Sequence, residues 1–439
     1  MNEAHRAEAF LLTVIVQLAV IIAVARLAGN LARRLGHPMV VGEIIAGLVL
    51  GPSLLGRLFP HVSAALFPSS TTPVVSTISQ LGLILLMFVI GLEFDFGHIR
   101  THGKTAALVA VSGIALPFAL GLGLGSWMQP HFPQTNPVGF SLFLATALSI
   151  TAIPVLGRVM VEFNIQRTQI GALTITAAAI DDALGWILLA VVSAVVGARF
   201  NPMATVRMVA LTLLFALGMG LVVRPLFIRW IDKAVDKRNG ELSLDALALV
   251  FVAMFACAAV TNLIGIFSIF GAFVLGAVLY DQDRFREAVF RRLKDFVTAF
   301  FLPVFFTYTG LHTDMGSLGT GVMWLFLAAV LAASFVGKFV GCGIAARLSG
   351  LQPRQAACVG IMMNARALMG LIAANVGLQM NAVPGQVYCM LVMMCVFSTI
   401  LLSPVLRRLM IGTELEEPFR QSEFVREALG MRGASAGAE

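Results

Sequence analysis

At 439 residues, 59% hydrophobic, 12% charged and with a mean hydropathy of +0.91, this chain falls outside the range of water-soluble domains, which are about half apolar and about a quarter charged. That composition excludes a soluble enzyme. The formal net charge of +7 would otherwise point to nucleic acid, but the charge lies in the connections between apolar runs. What fits is an all-α polytopic membrane protein in which many spans share one bundle.

Thirteen apolar runs follow in order, at about 10–29, 39–56, 77–92, 105–127, 138–157, 170–196, 205–223, 244–262, 264–280, 296–311, 322–346, 356–376 and 387–406. Each is read as a candidate span, since hydrocarbon takes ~20 apolar residues in a helix. An odd count puts the termini on opposite faces. Of the 30 Lys and Arg, 20 fall in the alternate connections that begin with Arg33 and Arg34 and end with Arg407 and Arg408, and four (Arg6, Arg57, Arg199, Arg207) fall in the other set. The positive-inside rule then sets the N-terminus outside and the C-terminus in the cytoplasm, and losing or adding one span would mix the two sets. Residues 1–9 carry neither a basic n-region nor a small-residue cleavage site, so the first run is expected to be kept rather than removed as a signal peptide. All seven histidines lie at termini or connections, and the five cysteines lie inside apolar runs without CxxC spacing. No histidine metal site within the membrane, disulfide framework or cofactor is expected.

The second run holds Glu43 among Gly42, Gly47 and Gly51, with Pro52 closing it; small residues at this spacing let helices approach closely. Near the cytoplasmic end Glu43 is either a functional acid reached by water or a bonded structural one. The run at 138–157 has Ser149, Thr151 and Pro154 at its centre. Proline removes a backbone donor and disfavours helix at Ile153, so the run either breaks, freeing carbonyls for a cation, or kinks without breaking. The run at 170–196 carries two adjacent acids, Asp181 and Asp182, near the bilayer midplane, where an ionised group is costly. Adjacent helix positions diverge by about 100°, so one acid can face a neighbouring helix while the other faces a cavity. Lys338, flanked by Gly337 and Gly341, either snorkels toward the cytoplasm or pairs with Asp181 or Asp182. The run at 356–376 adds Asn364, Arg366 and Asn375.

Residues 81–127 and 301–350 match in pattern, because LILLMFVIGLEFD and FLPVFFTYTGLHTD share an apolar, aromatic run, a Gly-Leu pair and a closing acid. The spans that follow pair 138–157 with 356–376 and 170–196 with 387–406. By the charge count the two sets enter from opposite faces, as inverted repeats do, and such repeats hold the substrate site at their interface. Residues 224–242 read as a solvated basic face near anionic headgroups, and 281–295 as an amphipathic helix or a charged loop. GLGLG at 121–125 lies inside a span with no strand before it, and reads as close helix packing rather than a dinucleotide loop.

PMVVGEIIAGLVLGPSLLG, SITAIPVLGRV, AAAIDDALGWILLA, LPVFFTYTGLHTD, VGKFVGCGIAARLSG and MMNARALMGLIAANVG, in this order, resemble the monovalent cation:proton antiporter-2 family over nearly the whole chain. The resemblance implies the sodium/proton antiporter fold with about thirteen spans, two crossed discontinuous helices and a homodimer. It divides residues 1–411 into core helices (about 104–196 and 322–408) and dimerisation or scaffold helices (about 10–93 and 205–311), and leaves 412–439 as a short tail. By position Asp182 is similar to the aspartate that binds cation and proton in turn, Asp181 to the preceding residue, where Asp goes with electrogenic exchange, and Lys338 to its lysine partner. Ser149, Thr151 and Pro154 match the first broken helix, and Asn364, Ala365 and Arg366 the second. The chain departs from many relatives in having Ala367 after Arg366 and Gly370 where a carboxylate often stands. It also lacks the Gln before the key Asp and the nucleotide-binding domain of the glutathione-gated potassium efflux branch.

The expected activity is antiport of sodium or potassium against protons: a carboxylate withdrawn from water holds a proton or a cation, and the two compete for one charge. The transported cation would be the one metal ion held, by Asp181 and Asp182 with Ser149 and Thr151, while Lys338 and Arg366 balance charge. A bacterial inner membrane is the expected location. A cation channel or gated efflux pathway and a sodium-coupled symporter are the alternatives; an enzyme is not expected, because no histidine base or ligand set lies within the spans.

Overall fold

Hydrocarbon offers no partners to backbone N–H and C=O groups, so a chain this apolar must satisfy them within its own helices. The computed structural model describes residues 3–37, 39–93, 103–197, 202–234, 242–366 and 368–422, and its elements are helices. Residues 235–241 of the basic connection, Arg199, Ala367 and residues 423–439 of the tail lie outside the described residues.

The first half of the chain forms α1 (Glu3–Arg34), α2 (Met39–Leu50), the short α3 (Leu55–Leu58) and α4 (Pro60–Leu66), α5 (Thr72–Glu93), α6 (Gly103–Met128), α7 (Pro137–Ser149), α8 (Ile153–Glu162) and α9 (Gln169–Gly197). The second half forms α10 (Pro202–Gly218), α11 (Arg224–Ala234), α12 (Leu244–Ile264), α13 (Ser268–Val278), α14 (Asp283–Phe296), α15 (Leu302–Leu311), α16 (Gly321–Leu348), α17 (Pro353–Met362), α18 (Leu368–Gln379), α19 (Gly385–Leu409) and α20 (Glu416–Arg420). Wider π turns at Met219–Val223 and Val297–Phe301 join α10 to α11 and α14 to α15. Among the described residues ten helical stretches are long and apolar enough to cross a membrane. Three of the thirteen expected runs, at 138–157, 264–280 and 356–376, hold helices shorter than a full crossing, so length alone supports ten spans.

The helices sort into two bundles. α1, α2, α5, α12, α13 and α15 pack on one another, while α6, α7, α9, α16, α17, α18 and α19 form the other set. In lipid, helix association is driven by close packing and interhelical hydrogen bonds rather than by the hydrophobic effect, so small residues set the contacts. A Cβ on Gly47 would lie 2.2 Å from the Thr307 carbonyl oxygen, which fixes α2 tightly on α15. GLGLG behaves as packing: a Cβ on Gly121 would lie 2.4 Å from Ala145 Cα, and one on Gly125 2.7 Å from Ser141 Cα, so α6 and α7 touch backbone to backbone. The 281–295 segment takes the helical alternative, with Phe285, Ala288, Val289 and Leu293 of α14 buried and its Arg284, Arg291 and Arg292 outward. Leucines 213, 214, 217, 221 and 226 are exposed along α10 and α11, where a lipid-facing surface requires apolar side chains.

Candidate functional site

α7 starts on a cap, with Asn136 Oδ1 accepting from the backbone N–H of Val138 at 3.0 Å and Gly139 at 3.1 Å and Pro137 at the first helical position. It stops at Ser149 because Ile150 turns extended (φ −86°, ψ 139°). The chain resumes as α8, whose first turn contains Pro154, a position where a missing N–H costs no helical bond. The 138–157 run is therefore broken and not merely kinked. In the other half α17 ends at Met362 and α18 begins at Leu368.

The two breaks cross and hold each other. Ala152 N–H donates to the Ala365 carbonyl at 2.8 Å, and Thr151 Oγ1 donates to the Met363 carbonyl at 2.9 Å. A helix that stops in mid-bundle leaves its last carbonyls without helical partners and the negative end of its dipole unbalanced. At the end of α7 two cations answer this. Lys338 Nζ donates to the Ser149 carbonyl, and Arg366 Nη1 to the Leu148 carbonyl. Arg366 also donates from Nη2 to the Ser334 carbonyl at 2.8 Å and from Nε to Asn364 Oδ1 at 3.1 Å. Its charge is thus directed at backbone carbonyls and an amide.

The acids sit against this crossing and are treated differently. Asp181 Oδ2 pairs with Lys338 Nζ at 2.5 Å, both side chains having no exposed area, and Asp181 Oδ1 accepts the Thr151 N–H at 2.9 Å. Of the two partners open to Lys338 in the sequence, the structure selects Asp181. Asp182 is equally buried, at 1% exposure, yet its Oδ1 has no hydrogen-bond partner among the described residues. Buried carboxylate oxygens are ordinarily satisfied by a donor or kept neutral by a proton, which sets the environment of Asp182 apart from that of Asp181. Asn364 Nδ2 and Ser334 Oγ are also buried without partners among the described residues.

The remaining sequence candidates divide. Thr151 and Asn364 belong to the crossing. The Ser149 hydroxyl donates back to the Ala145 carbonyl at 2.6 Å, so that residue meets the site through its carbonyl. Glu43 is buried at 5% exposure on α2, in the other bundle, where its carbonyl accepts from Thr307 Oγ1 at 3.3 Å. Asn375 lies away from the crossing, against α15 and α19. Two contributors were not singled out from the sequence. A Cβ on Gly113 of α6 would meet Cys342 Sγ at 2.4 Å, with Asp181 Oδ2 at 3.6 Å and Lys338 Nζ at 3.7 Å, so this glycine makes room for the ion pair. Ser334 stands four residues before Lys338 and so on the same helix face, a spacing that signals a shared site. All five cysteines are free and buried, and no cluster of three or more His, Cys, Asp or Glu fit for a metal occurs among the described residues. The oxygen donors present, carboxylate, hydroxyl and carbonyl, suit a hard cation.

The family model described as "Sodium/hydrogen exchanger, transmembrane" matches residues 19–411. The chain is 36% identical over 400 residues to the Na(+)/H(+) antiporter NhaS4 of Synechocystis, covering 90% of this chain and 96% of that protein. It is 34% identical over 393 residues to Cation/H(+) antiporter 18 of Arabidopsis thaliana, covering 89% of this chain but 48% of that protein, so it spans about half the length of this plant relative. Among solved structures, the sodium proton antiporter MjNhaP1 of Methanocaldococcus jannaschii superposes with a TM-score of 0.65 at 16% identity, over 93% of this chain and 99% of that one.

Proposed function

The chain belongs to the sodium/hydrogen exchanger family, and on that footing we propose that it exchanges a monovalent cation, sodium or potassium, for protons at Asp182. The observation that carries the assignment is the asymmetry of the acid pair: Asp181 is fully engaged by Lys338 and Thr151, whereas Asp182 Oδ1 is buried and unpartnered. A proton or a cation can satisfy that oxygen, and each excludes the other through one charge. Competition at one site yields obligatory exchange. When the cation enters, Asp182 gives up one proton and Lys338, released by Asp181, gives up a second, so that two protons leave per cation and each cycle moves one net charge.

In this reading the bundle of α6–α9 and α16–α19 is the moving core, and the bundle of α1, α2, α5, α12, α13 and α15 is the scaffold, assembled as a homodimer. The protein lies in a bacterial inner membrane with thirteen crossings, N-terminus outside and C-terminus in the cytoplasm, an orientation supported by the 20 Lys and Arg in alternate connections. Arg366 acts as a fixed counter-charge to the end of α7. Glu43 has no part in the exchange step.

The test is a proteoliposome assay of proton movement driven by sodium, potassium or lithium, with and without a clamped membrane potential. Asp182→Asn is expected to abolish exchange with every cation; full exchange in that variant removes Asp182 from the mechanism. A channel would give a reversal potential that follows the cation gradient alone, whereas an antiporter's shifts with the pH gradient as well.

A further inference from the structure

Among the described residues a chain of buried and half-buried hydrogen bonds joins the two bundles, away from the acids. Tyr388, fully buried at the start of α19, has its hydroxyl 3.2 Å from the Thr309 carbonyl and 3.1 Å from Asn375 Oδ1. Asn375 Nδ2 donates to Thr309 Oγ1 at 3.3 Å, and that hydroxyl donates to the Phe305 carbonyl at 3.0 Å. The tyrosine has one proton, so it bonds one of its two acceptors at a time. Thr309 stands in the last turn of α15, where carbonyls lack helical partners, and its carbonyl also accepts from Thr313 Oγ1 at 2.9 Å. Thr309 belongs to one bundle, Asn375 and Tyr388 to the other.

Elsewhere along this boundary Trp186 of α9 stacks on Phe273 and lies edge-on to Phe270 of α13, and at the other end of α19 Arg407 Nη2 donates to the Gly36 carbonyl between α1 and α2 at 3.5 Å. Rings in van der Waals contact slide with a gradual exchange of neighbours, whereas a hydrogen bond is lost once its partners separate by an ångström or so. The polar chain therefore sets the register between the bundles at this end of the boundary. The connections beside it, 312–320 and 380–384, belong to the set poor in Lys and Arg, which is the external set.

We propose that Tyr388, Asn375 and Thr309 form a latch that holds the moving core shut against α15 on the external side. They are positioning residues, setting the balance between the two access states without touching the transported ion. The proposal rests on the moving-core reading above. Breaking the latch favours the outward-open state, which raises external access and separates the apparent KM for external cation from the turnover rate.

Cys389, buried next to Tyr388, reports on the opening. In a chain keeping only that cysteine, Tyr388→Phe and, as an independent variant, Asn375→Ala are expected to speed labelling by an impermeant maleimide added outside by roughly 2- to 10-fold, the population shift for one lost hydrogen bond. Unchanged labelling in both variants, with exchange retained, overturns the latch. In a chain with no other cysteines, cross-linking Thr309→Cys to Asn375→Cys is expected to stop exchange and reduction to restore it. Full cross-linking that leaves exchange intact overturns the moving-core reading itself, and the latch with it.

Discussion

Lys338 and Asp181 show how a charged pair survives without solvent. Each has a second partner, the Ser149 carbonyl for the ammonium and the Thr151 N–H for the carboxylate, so the pair completes a network and does not depend on its Coulomb attraction alone. Removing one member leaves the other as an uncompensated buried charge. Lys338→Ala is therefore expected to cost about 3–5 kcal/mol, whereas Asp181→Asn combined with Lys338→Met keeps volume and removes both charges at much smaller cost. Thermal unfolding of the purified protein checks the ordering, and the double variant should move less net charge per cation. Gly113 makes a separate prediction, since its missing Cβ is the space into which Cys342 fits. Gly113→Val is expected to destabilise by about 1–3 kcal/mol and to slow exchange by pushing α6 off the ion pair. Adding Cys342→Ala removes the clashing sulfur and should restore part of both; no restoration would mean that the glycine acts elsewhere.

Broken helices trade stability for freed backbone groups, and here the two breaks repay each other. Thr151 serves twice, through its N–H and its hydroxyl, and the hydroxyl satisfies the Met363 carbonyl of the facing break. Thr151→Val should cost about 1–3 kcal/mol, since it strands a buried carbonyl, and the loss should appear as a lower Tm even where the acids are untouched. The N-terminal end of α9 is held in a different way. The chain after α19 folds back so that Glu414 accepts the Ile170 N–H at 2.5 Å in the first turn of α9, and Phe419 meets Phe163 edge-on at 4.9 Å. Within this tail the Gly412 N–H, followed by Arg420, holds the Glu416 carboxyl below its ordinary range. A carboxyl lowered in the folded state contributes stability above its unfolded value and loses it as pH falls through the folded one. Acidification below the ordinary glutamate range should thus release α20, read as faster proteolysis of the tail, and Glu416→Gln should weaken that pH dependence.

The tight glycine contacts lie within each bundle, while between the bundles stand stacked rings, the Tyr388 cluster and the Arg407–Gly36 bond, so the core movement proposed above needs no unfolding. Cation binding to the folded protein adds stability as the logarithm of one plus the ratio of free cation to its dissociation constant, about 1.4 kcal/mol at ten times that constant. A rise in Tm that continues roughly with the logarithm of sodium or potassium concentration above the dissociation constant is therefore expected in the native chain and none in Asp182→Asn. The same titration identifies the preferred cation, which is set by cavity size and oxygen count.

The membrane class, the order of the apolar runs, the alternation of charged connections and the motif set that carried the family resemblance are all properties of the linear chain. Hydropathy and charge are sums over neighbours in sequence, and a span is a local object. The break at Pro154 was half legible, because proline allows a kink as readily as a gap. Which acid takes Lys338, why Arg366 points at α7, why Gly113 is small and where Tyr388 meets Thr309 depend on segments up to a few hundred residues apart reaching hydrogen-bond distance. Distances of that kind come from helix packing, which no run of adjacent residues encodes, and they alone separate the carboxylate engaged by Lys338 from the one whose Oδ1 has no partner among the described residues.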